Sequence, residues 1–430
     1  MRLKMAFGRE GMGLDLPDDP RITVLEGKDA PALTDPAGEV ERSIASPIGS
    51  APLSEIARGR RDACIVISDV TRPVPNKLIL PPILKTIEAA GVPRDKITIL
   101  IATGLHRPNE GRELEGLVGA SIAANYRCEN HFAQRPETIV GVGKTRGGIP
   151  VELCRRYVEA DMKILTGFIE PHMWAGYSGG RKAILPGIAS AHTMSFMHGF
   201  KMVADPGCAY DELKHNPFHR AGIEVSEMVG VDFICNVTLD AEKRVTGVFS
   251  GHFERAHEAG CDFLRPQAVA WVDAPFDAVI TSGGGAPLDV SLYQTAKGIT
   301  GAADVLRDGG EVLICSECGE GLGGREFTEL TLSAESPQEF LERLQRPGFY
   351  VIDQWGAQEI YAVMTRVKVC LHSKGISAED TRRCHIEPVA DFAKAARALF
   401  GRLPASARIG VIPRGPFTIG RVRRGLREAA

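Results

Sequence analysis

Three apolar runs of strand length punctuate the first half of the chain, at Ala63 to Ser68 (ACIVIS), Lys96 to Ala102 (KITILIA) and Lys163 to Ile169. None alternates between apolar and polar, which is the pattern of strands buried on both faces of a parallel sheet. Each predicted strand runs straight into chemistry. The first delivers Asp69, Thr71 and Arg72, the second Thr103-Gly104-Leu105-His106-Arg107-Pro108, and the third Glu170-Pro171-His172. Open α/β sheets bind ligands at the carboxyl ends of their strands, and three ends carrying Arg72, His106 and His172 are hard to explain by packing. Pro73 and Pro75 stiffen the first turn into a helix predicted from about Asn76 to Ala90. Asn109 is expected to cap a helix with Glu110 and Glu113 in its first turns.

Before these runs the signals are weak: short strands near Met1 to Ala6 and Arg21 to Leu25, read as a lid or edge. After them the pattern predicts a helix over Ala189 to Phe200 that presents His198 near its end, and a helix to about Val229. Strands near Val231 to Val237 and Val245 to Ser250 follow, then a helix from His252 to Phe263. Arg265-Pro266 marks a boundary. Beyond it Ala278 to Thr281 reads as a strand entering Ser282-Gly283-Gly284-Gly285, a cluster able to cradle a phosphate on its backbone N–H groups. The helix Val290 to Leu306 carries Tyr293, Gln294 and Lys297, with Tyr293 and Lys297 on one face at i, i+4. A strand at Glu311 to Cys315, helices near Pro337 to Leu344 and Gln354 to Thr365, a strand at Val367 to Leu371, a helix around Val389 to Gly401 and a strand at Arg408 to Ile412 complete the alternation. The fold class this predicts is α/β: two α/β domains with mostly parallel sheets and the active site in the cleft between them. Residues 1–266 form the first domain, carrying the reactive lysine and histidines, and residues 267–430 the second, closing the site.

Composition narrows the class. A chain of 430 residues is too long for one ordinary core. Its 44% hydrophobic and 24% charged residues suit a globular enzyme, and no apolar run is long enough to cross a bilayer. The start, MRLKMAFGREGMG, lacks the apolar core of a signal peptide, and ten scattered cysteines point to a reducing cytoplasm. A net charge of −3 gives no reason to expect nucleic acid, and no membrane partner is implied. His215 and His219 have zinc-pair spacing, but Pro217 between them spoils the required helix. Cys315 and Cys318 form a single CxxC with no second pair, which reads as a glycine-rich turn.

The segment Gly167 to Ser190, GFIEPHMWAGYSGGRKAILPGIAS, concentrates the chemistry. His172 and Lys182 lie ten positions apart with Gly176, Gly179 and Gly180 between them, so the chain is free to fold back and aim both into one cavity. These residues admit a zinc hydrolase built on His106, His172 and His198, a pyridoxal phosphate enzyme with Lys182 as its Schiff base, or a non-catalytic nucleotide-binding module.

In order along the chain, DVTRP from Asp69, TGLHRP from Thr103, EPHMWAGYSGGRK from Glu170, Met197-His198-Gly199, YQTAK from Tyr293 and Trp355 resemble the nickel-dependent lactate racemase family of 2-hydroxyacid racemases and epimerases. The resemblance covers nearly the whole chain. It implies a nickel pincer nucleotide, a pyridinium mononucleotide with two thio-substituents, joined as a thioamide to Lys182 and supplied by cofactor-synthesis enzymes. It further implies Ni(II) held by that group and by His198, an assignment in keeping with soft sulfur donors plus an imidazole. By the same resemblance His106 and His172 are the acid/base pair, Arg72, Gln294 and Lys297 address the substrate, and Asp69, Tyr293 and Trp355 lie about the cofactor. The expected reaction inverts C2 of a 2-hydroxy acid by reversible hydride transfer through a planar 2-keto acid. Two bases are then needed because the rotated carbonyl oxygen points to the opposite side.

Overall fold

The structure, a computed structural model, describes residues 1–28 and 30–423. It divides into two compact units, one of residues 30–265 and the other of residues 1–28 together with 266–423.

The first unit is built on a six-stranded sheet in the order Val245–Gly251, Phe233–Leu239, Met162–Phe168, Ala63–Ser68, Ile97–Ala102, Arg127–Asn130. All neighbours are parallel except the first pair. The three apolar runs are its adjacent central strands. Register places Ile65 beside both Ile99 and Ile164, and all three are fully buried. Their β-branched side chains suit a pleated surface covered on both faces. The helix Asn76–Ala89 lays Ile79, Ile83 and Ile87 on this core at four-residue spacing. Fully burying each such side chain is worth roughly 1.5–3 kcal/mol.

The second unit holds a wholly parallel sheet in the order Glu387–Pro388, Lys368–His372, Leu306–Cys315, Phe276–Ser282, Ile409–Ile412, Ile22–Val24. The last strand corrects the expected domain division. Ile22–Val24 hydrogen-bonds Ile409–Ile412, so residues 1–28 belong with the C-terminal unit and not with the N-terminal domain. The division does fall at Arg265-Pro266 as expected, but within the helix Arg255–Ala268 and not in a linker.

Two smaller expectations change. The helix after TGLHRP starts at Arg112, with Gly111 as its N-cap at a φ of 55°, so Asn109 is not the cap. His198 is the C-cap of Ala191–Met197, outside the helix proper. Pro217 breaks the His215/His219 pairing as expected: it opens the helix Pro217–Val229 beneath an Asn216 cap, which puts His215 ahead of the helix and His219 in its first turn. Among the described residues no helix is long and apolar enough to cross a membrane.

Candidate active site

The three loops that leave the carboxyl ends of the central strands are tied to one another. Asp69 is buried and its Oδ2 lies 2.7 Å from His106 Nδ1, while its Oδ1 accepts from the Thr71 backbone N–H and hydroxyl at 3.2 and 2.5 Å. Burial alone would raise this carboxyl, but the hydrogen bond and charge of His106, the Thr71 hydroxyl and the Arg72 charge outweigh it and hold Asp69 below the ordinary range. An ionised Asp69 fixes the Nδ1–H tautomer of His106 and leaves Nε2 as its basic nitrogen. Asn109 supplies the neighbouring tie: its Oδ1 accepts from Val70 N–H at 3.2 Å and its own N–H donates to Asn130 Oδ1 at 2.8 Å. Arg72 Nε stands 3.7 Å from Glu170 Oε1, linking the first loop to the third. Gly104 N–H donates to the Gly187 carbonyl at 3.0 Å, linking the second loop to the same segment.

The glycine-rich segment folds back as its spacing suggested. Pro171–His172 pairs antiparallel with Gly176–Tyr177, and Lys182 follows on the short 3-10 turn Gly180–Ala183. Lys182 Nζ comes to 2.9 Å from His172 Nε2. On its other side the His172 ring accepts at Nδ1 from the backbone N–H groups of Trp174 and Ala175, at 3.2 and 3.3 Å. Gly179, at a φ of 84°, passes so close to Asn236 that an added Cβ would sit 2.8 Å from Asn236 Oδ1. That same oxygen accepts from Gly180 N–H at 2.7 Å, which pins the turn carrying Lys182 to the sheet.

His198 is buried, with its ring edge-on to Trp174 at 5.5 Å and to Phe218 at 5.6 Å. Trp174 is in turn edge-on to His172 at 5.6 Å. Burial, with a smaller part from the Lys182 charge, pushes the His198 imidazole down to about 3, so it stands neutral at any ordinary pH. Its Nδ1 lies 3.3 Å from the Met194 carbonyl, which selects the Nδ1–H tautomer and leaves Nε2 as its basic nitrogen.

In the second unit Tyr293, Gln294 and Lys297 ride on the helix Leu292–Ala303. Lys297 Nζ donates to Gln294 Oε1 at 2.9 Å, and the Trp355 indole donates to the Tyr293 hydroxyl at 2.7 Å. The glycine cluster after Phe276–Ser282 spends its N–H groups internally: Gly283 donates to the Cys315 carbonyl and Gly284 to Ser282 Oγ. That leaves little of the phosphate cradle.

Sequence reasoning missed the supports of the site. Arg181 is 1% exposed and donates to the Gly179 and Ala175 carbonyls, with His257 Nε2 2.8 Å from its Nη1. Asn236 is fully buried in the strand Phe233–Leu239, FICNVTL, where a lone amide among apolar residues was the available signal. A cleft of about 1180 Å³ on the same unit, lined by residues including Glu224, Glu254 and Glu258, touches none of the candidate residues. Among the described residues no three His, Cys, Asp or Glu side chains group at metal-binding distance, so the zinc arrangement of His106, His172 and His198 is not assembled.

Comparison with known proteins agrees with the motifs. Residues 7–210 match the Lactate racemase N-terminal domain and residues 272–419 the Lactate racemase C-terminal domain. The chain is 33% identical to the lactate racemase of Thermoanaerobacterium thermosaccharolyticum over 424 residues, 97% of this chain and 99% of that one. It is 35% identical to the lactate racemase of Lactiplantibacillus plantarum over 379 residues, 87% and 89% of the two chains. The solved lactate racemase apoprotein of T. thermosaccharolyticum superposes with a TM-score of 0.92 at 33% identity, covering 98% of this chain and all of that one. A Thermotoga maritima protein, 19% identical with a TM-score of 0.66 over 90% of this chain and 98% of its own, shares the fold. With both domains matched and relatives aligned over nearly its full length, the chain belongs to the lactate racemase family and is an isomerase.

Proposed function

We propose that this chain racemises a lactate-like 2-hydroxy acid by moving the C2 hydrogen as hydride, with a nickel pincer nucleotide attached to Lys182. The observation that carries the reading is a tied set of loops. It holds an Asp69-fixed imidazole, a partly buried lysine amine and a buried neutral imidazole, that is, a base, a covalent anchor and a metal ligand. The two curated relatives named lactate racemase support the substrate class. The residues present fit the group: His198 offers a neutral Nε2 suited to nickel beside soft donors, and Lys182 offers the amine.

When bound, the group supplies an acceptor for hydride, which avoids a carbanion beside a carboxylate that would stabilise it poorly. The chain supplies the rest. Arg72, only loosely engaged by Glu170, binds the substrate carboxylate through its guanidinium fork. His106 takes the hydroxyl proton at Nε2, and Asp69 stabilises the imidazolium that forms. His172 handles the proton of the opposite enantiomer. Gln294 and Lys297 address the substrate, while Asp69, Tyr293 and Trp355 border the cofactor.

The test uses protein made beside the cofactor-synthesis enzymes and a panel of enantiopure 2-hydroxy acids. A mass adduct on Lys182, absent in Lys182→Ala, together with racemisation that keeps deuterium from C2 in the product, is the expected result. Full activity of the unmodified chain with nickel salt alone, or exchange of that deuterium with water, overturns the reading. His198→Ala should keep the adduct and lose most of its nickel.

A further inference from the structure

We infer that the cleft lined by the helices Pro217–Val229 and Arg255–Ala268 binds a linear aliphatic polyamine, at a place apart from the candidate active site. The cleft measures about 1180 Å³ and lies wholly within the unit of residues 30–265. Aspartates and glutamates outnumber lysines and arginines two to one among its lining side chains, a balance that refuses an anion and draws a cation. Part of that acid is already neutralised. Arg265 reaches Asp211 at 2.7 Å and Asp262 at 2.6 Å, and Arg146 stands 3.9 Å from Glu224. Glu227, Glu254 and Glu258 form no ion pair among the described residues.

The acid is arranged in rows. Glu258 N–H donates to the Glu254 carbonyl at 2.8 Å, so the helical repeat already runs from Glu254. It stacks Glu254, Glu258 and Asp262 on one face at intervals of about 6 Å, from a rise of about 1.5 Å per residue. Burial, then the charges of Glu254 and Asp262, push the Glu258 carboxyl up, as befits like charges without a counter-ion. The other helix contributes Glu224 and Glu227 at i, i+3.

His219 is a second observation, independent of these charges. It lines the cleft although it is 6% exposed, and its buried Nδ1 has no hydrogen-bond partner. Buried polar groups of native proteins are nearly always paired, so the ring marks a place where a partner comes from outside the chain. It stacks on His257 of the second helix with centroids 6.3 Å apart. Burial and the Arg181 charge push its imidazole down to about 3, so the ring adds no positive charge to oppose a cation.

A metal ion does not suit this cleft. Among the described residues no three His, Cys, Asp or Glu side chains group at metal-binding distance, so the negative charge is strung out and not focused on a point. An extended cation does suit it. Ammonium groups only donate, short methylene chains set them at the one-turn interval of the carboxylates, and those methylenes find Ile149, Met202 and Ile223 in the lining.

Isothermal titration of spermidine into the full chain at neutral pH and low ionic strength tests this. Saturable uptake at one site per chain is expected, together with a rise in thermal midpoint. Glu254→Gln combined with Glu258→Gln should weaken binding about tenfold, since two charge-assisted hydrogen bonds become neutral ones. His219→Phe, which keeps a ring and removes its nitrogens, should weaken it several-fold. Glu335→Gln combined with Glu342→Gln, at exposed positions outside the cleft, should leave it unchanged. Absence of saturable uptake overturns the inference, as does wild-type affinity in the Glu254/Glu258 pair or in folded His219→Phe. Equal weakening by the Glu335/Glu342 pair, or displacement by magnesium as effective as by spermidine at the same charge concentration, overturns it too, since either means diffuse attraction to an acidic surface. Should His219→Phe not fold, the two glutamate pairs decide.

Discussion

The pairing of Asp69 with His106 sets what a single substitution should do. Asp69→Asn keeps the size and most of the shape of the side chain, but it replaces an acceptor-only carboxylate with an amide that can donate toward Nδ1. The tautomer of His106 is then no longer fixed with Nε2 bare, and an imidazolium would lack its counter-charge. Racemisation by Asp69→Asn protein should fall by about 10² to 10⁴, the usual cost of losing a general base, while its thermal midpoint and the mass adduct on Lys182 stay near wild type. Equal loss of adduct and activity would show that Asp69 serves assembly of the site, not proton transfer. At this scale the sequence displayed reactive side chains but not their partners. Asp69, His106, His172 and Lys182 announce themselves because each follows a buried strand or a glycine pair. That Asp69 would choose His106, 37 positions away, or that Asn109 would tie two loops and not cap a helix, depends on how adjacent strands bring their loops together. Arg181 was hidden for the opposite reason, since arginine is rarely buried and nothing local distinguishes it from a solvated neighbour of Lys182.

The element that makes the site is the fold-back from Pro171 to Ala183, and its glycines are required by geometry. Gly179 has a φ of 84°, and a Cβ there would meet Asn236 Oδ1 at 2.8 Å and Ile169 at 3.0 Å. Gly179→Ala therefore pays twice, once for a left-handed backbone at about 1–2 kcal/mol and once for overpacking at about 1–3 kcal/mol. Denaturant titration should show a loss within that combined range, and the adduct on Lys182 should form more slowly because the turn that carries the amine is displaced. A variant as stable as wild type would mean the turn relaxes freely and is not held by the sheet. Glycine spacing revealed that the chain reverses here. It could not reveal that Asn236, on a strand more than fifty residues later, is what the turn is fastened to. Element types followed from hydrophobic pattern wherever runs were long, as at Ala63–Ser68 and Ile97–Ala102. Boundaries moved where capping residues decided them, as at Gly111 and His198.

At the scale of the molecule, the division into two α/β units was visible in the alternation of strands and helices, but the assignment of residues 1–28 was not. Ile22–Val24 is a three-residue edge strand, too short for its periodicity to name a partner, and only pairing with Ile409–Ile412 places it. The two units differ in how they should answer acid. In the unit of residues 30–265, burial pushes His131 down to about 4 and His219 down to about 3, the latter with help from the Arg181 charge. Burial and the same Arg181 hold His257 well below its ordinary range. In the unfolded chain these rings take up protons near 6.5. Below that value the unfolded state binds protons that the folded state refuses, so their stabilisation is complete above about pH 6.5 and drains away as the pH falls toward their folded values. Each contributes a slope of up to about 1.4 kcal/mol per pH unit in that window. The described histidines of the other unit, His372 and His385, are neither as deeply buried nor beside a buried cation. Between pH 7 and pH 4.5 the first unit should therefore open before the second. Hydrogen exchange, corrected for its intrinsic pH dependence, should show the strand Met162–Phe168 losing protection while Phe276–Ser282 keeps it. Parallel loss in both strands would mean the units unfold as one, and earlier loss in Phe276–Ser282 would mean that carboxylates of the second unit, not the buried histidines of the first, set the acid limit of the protein.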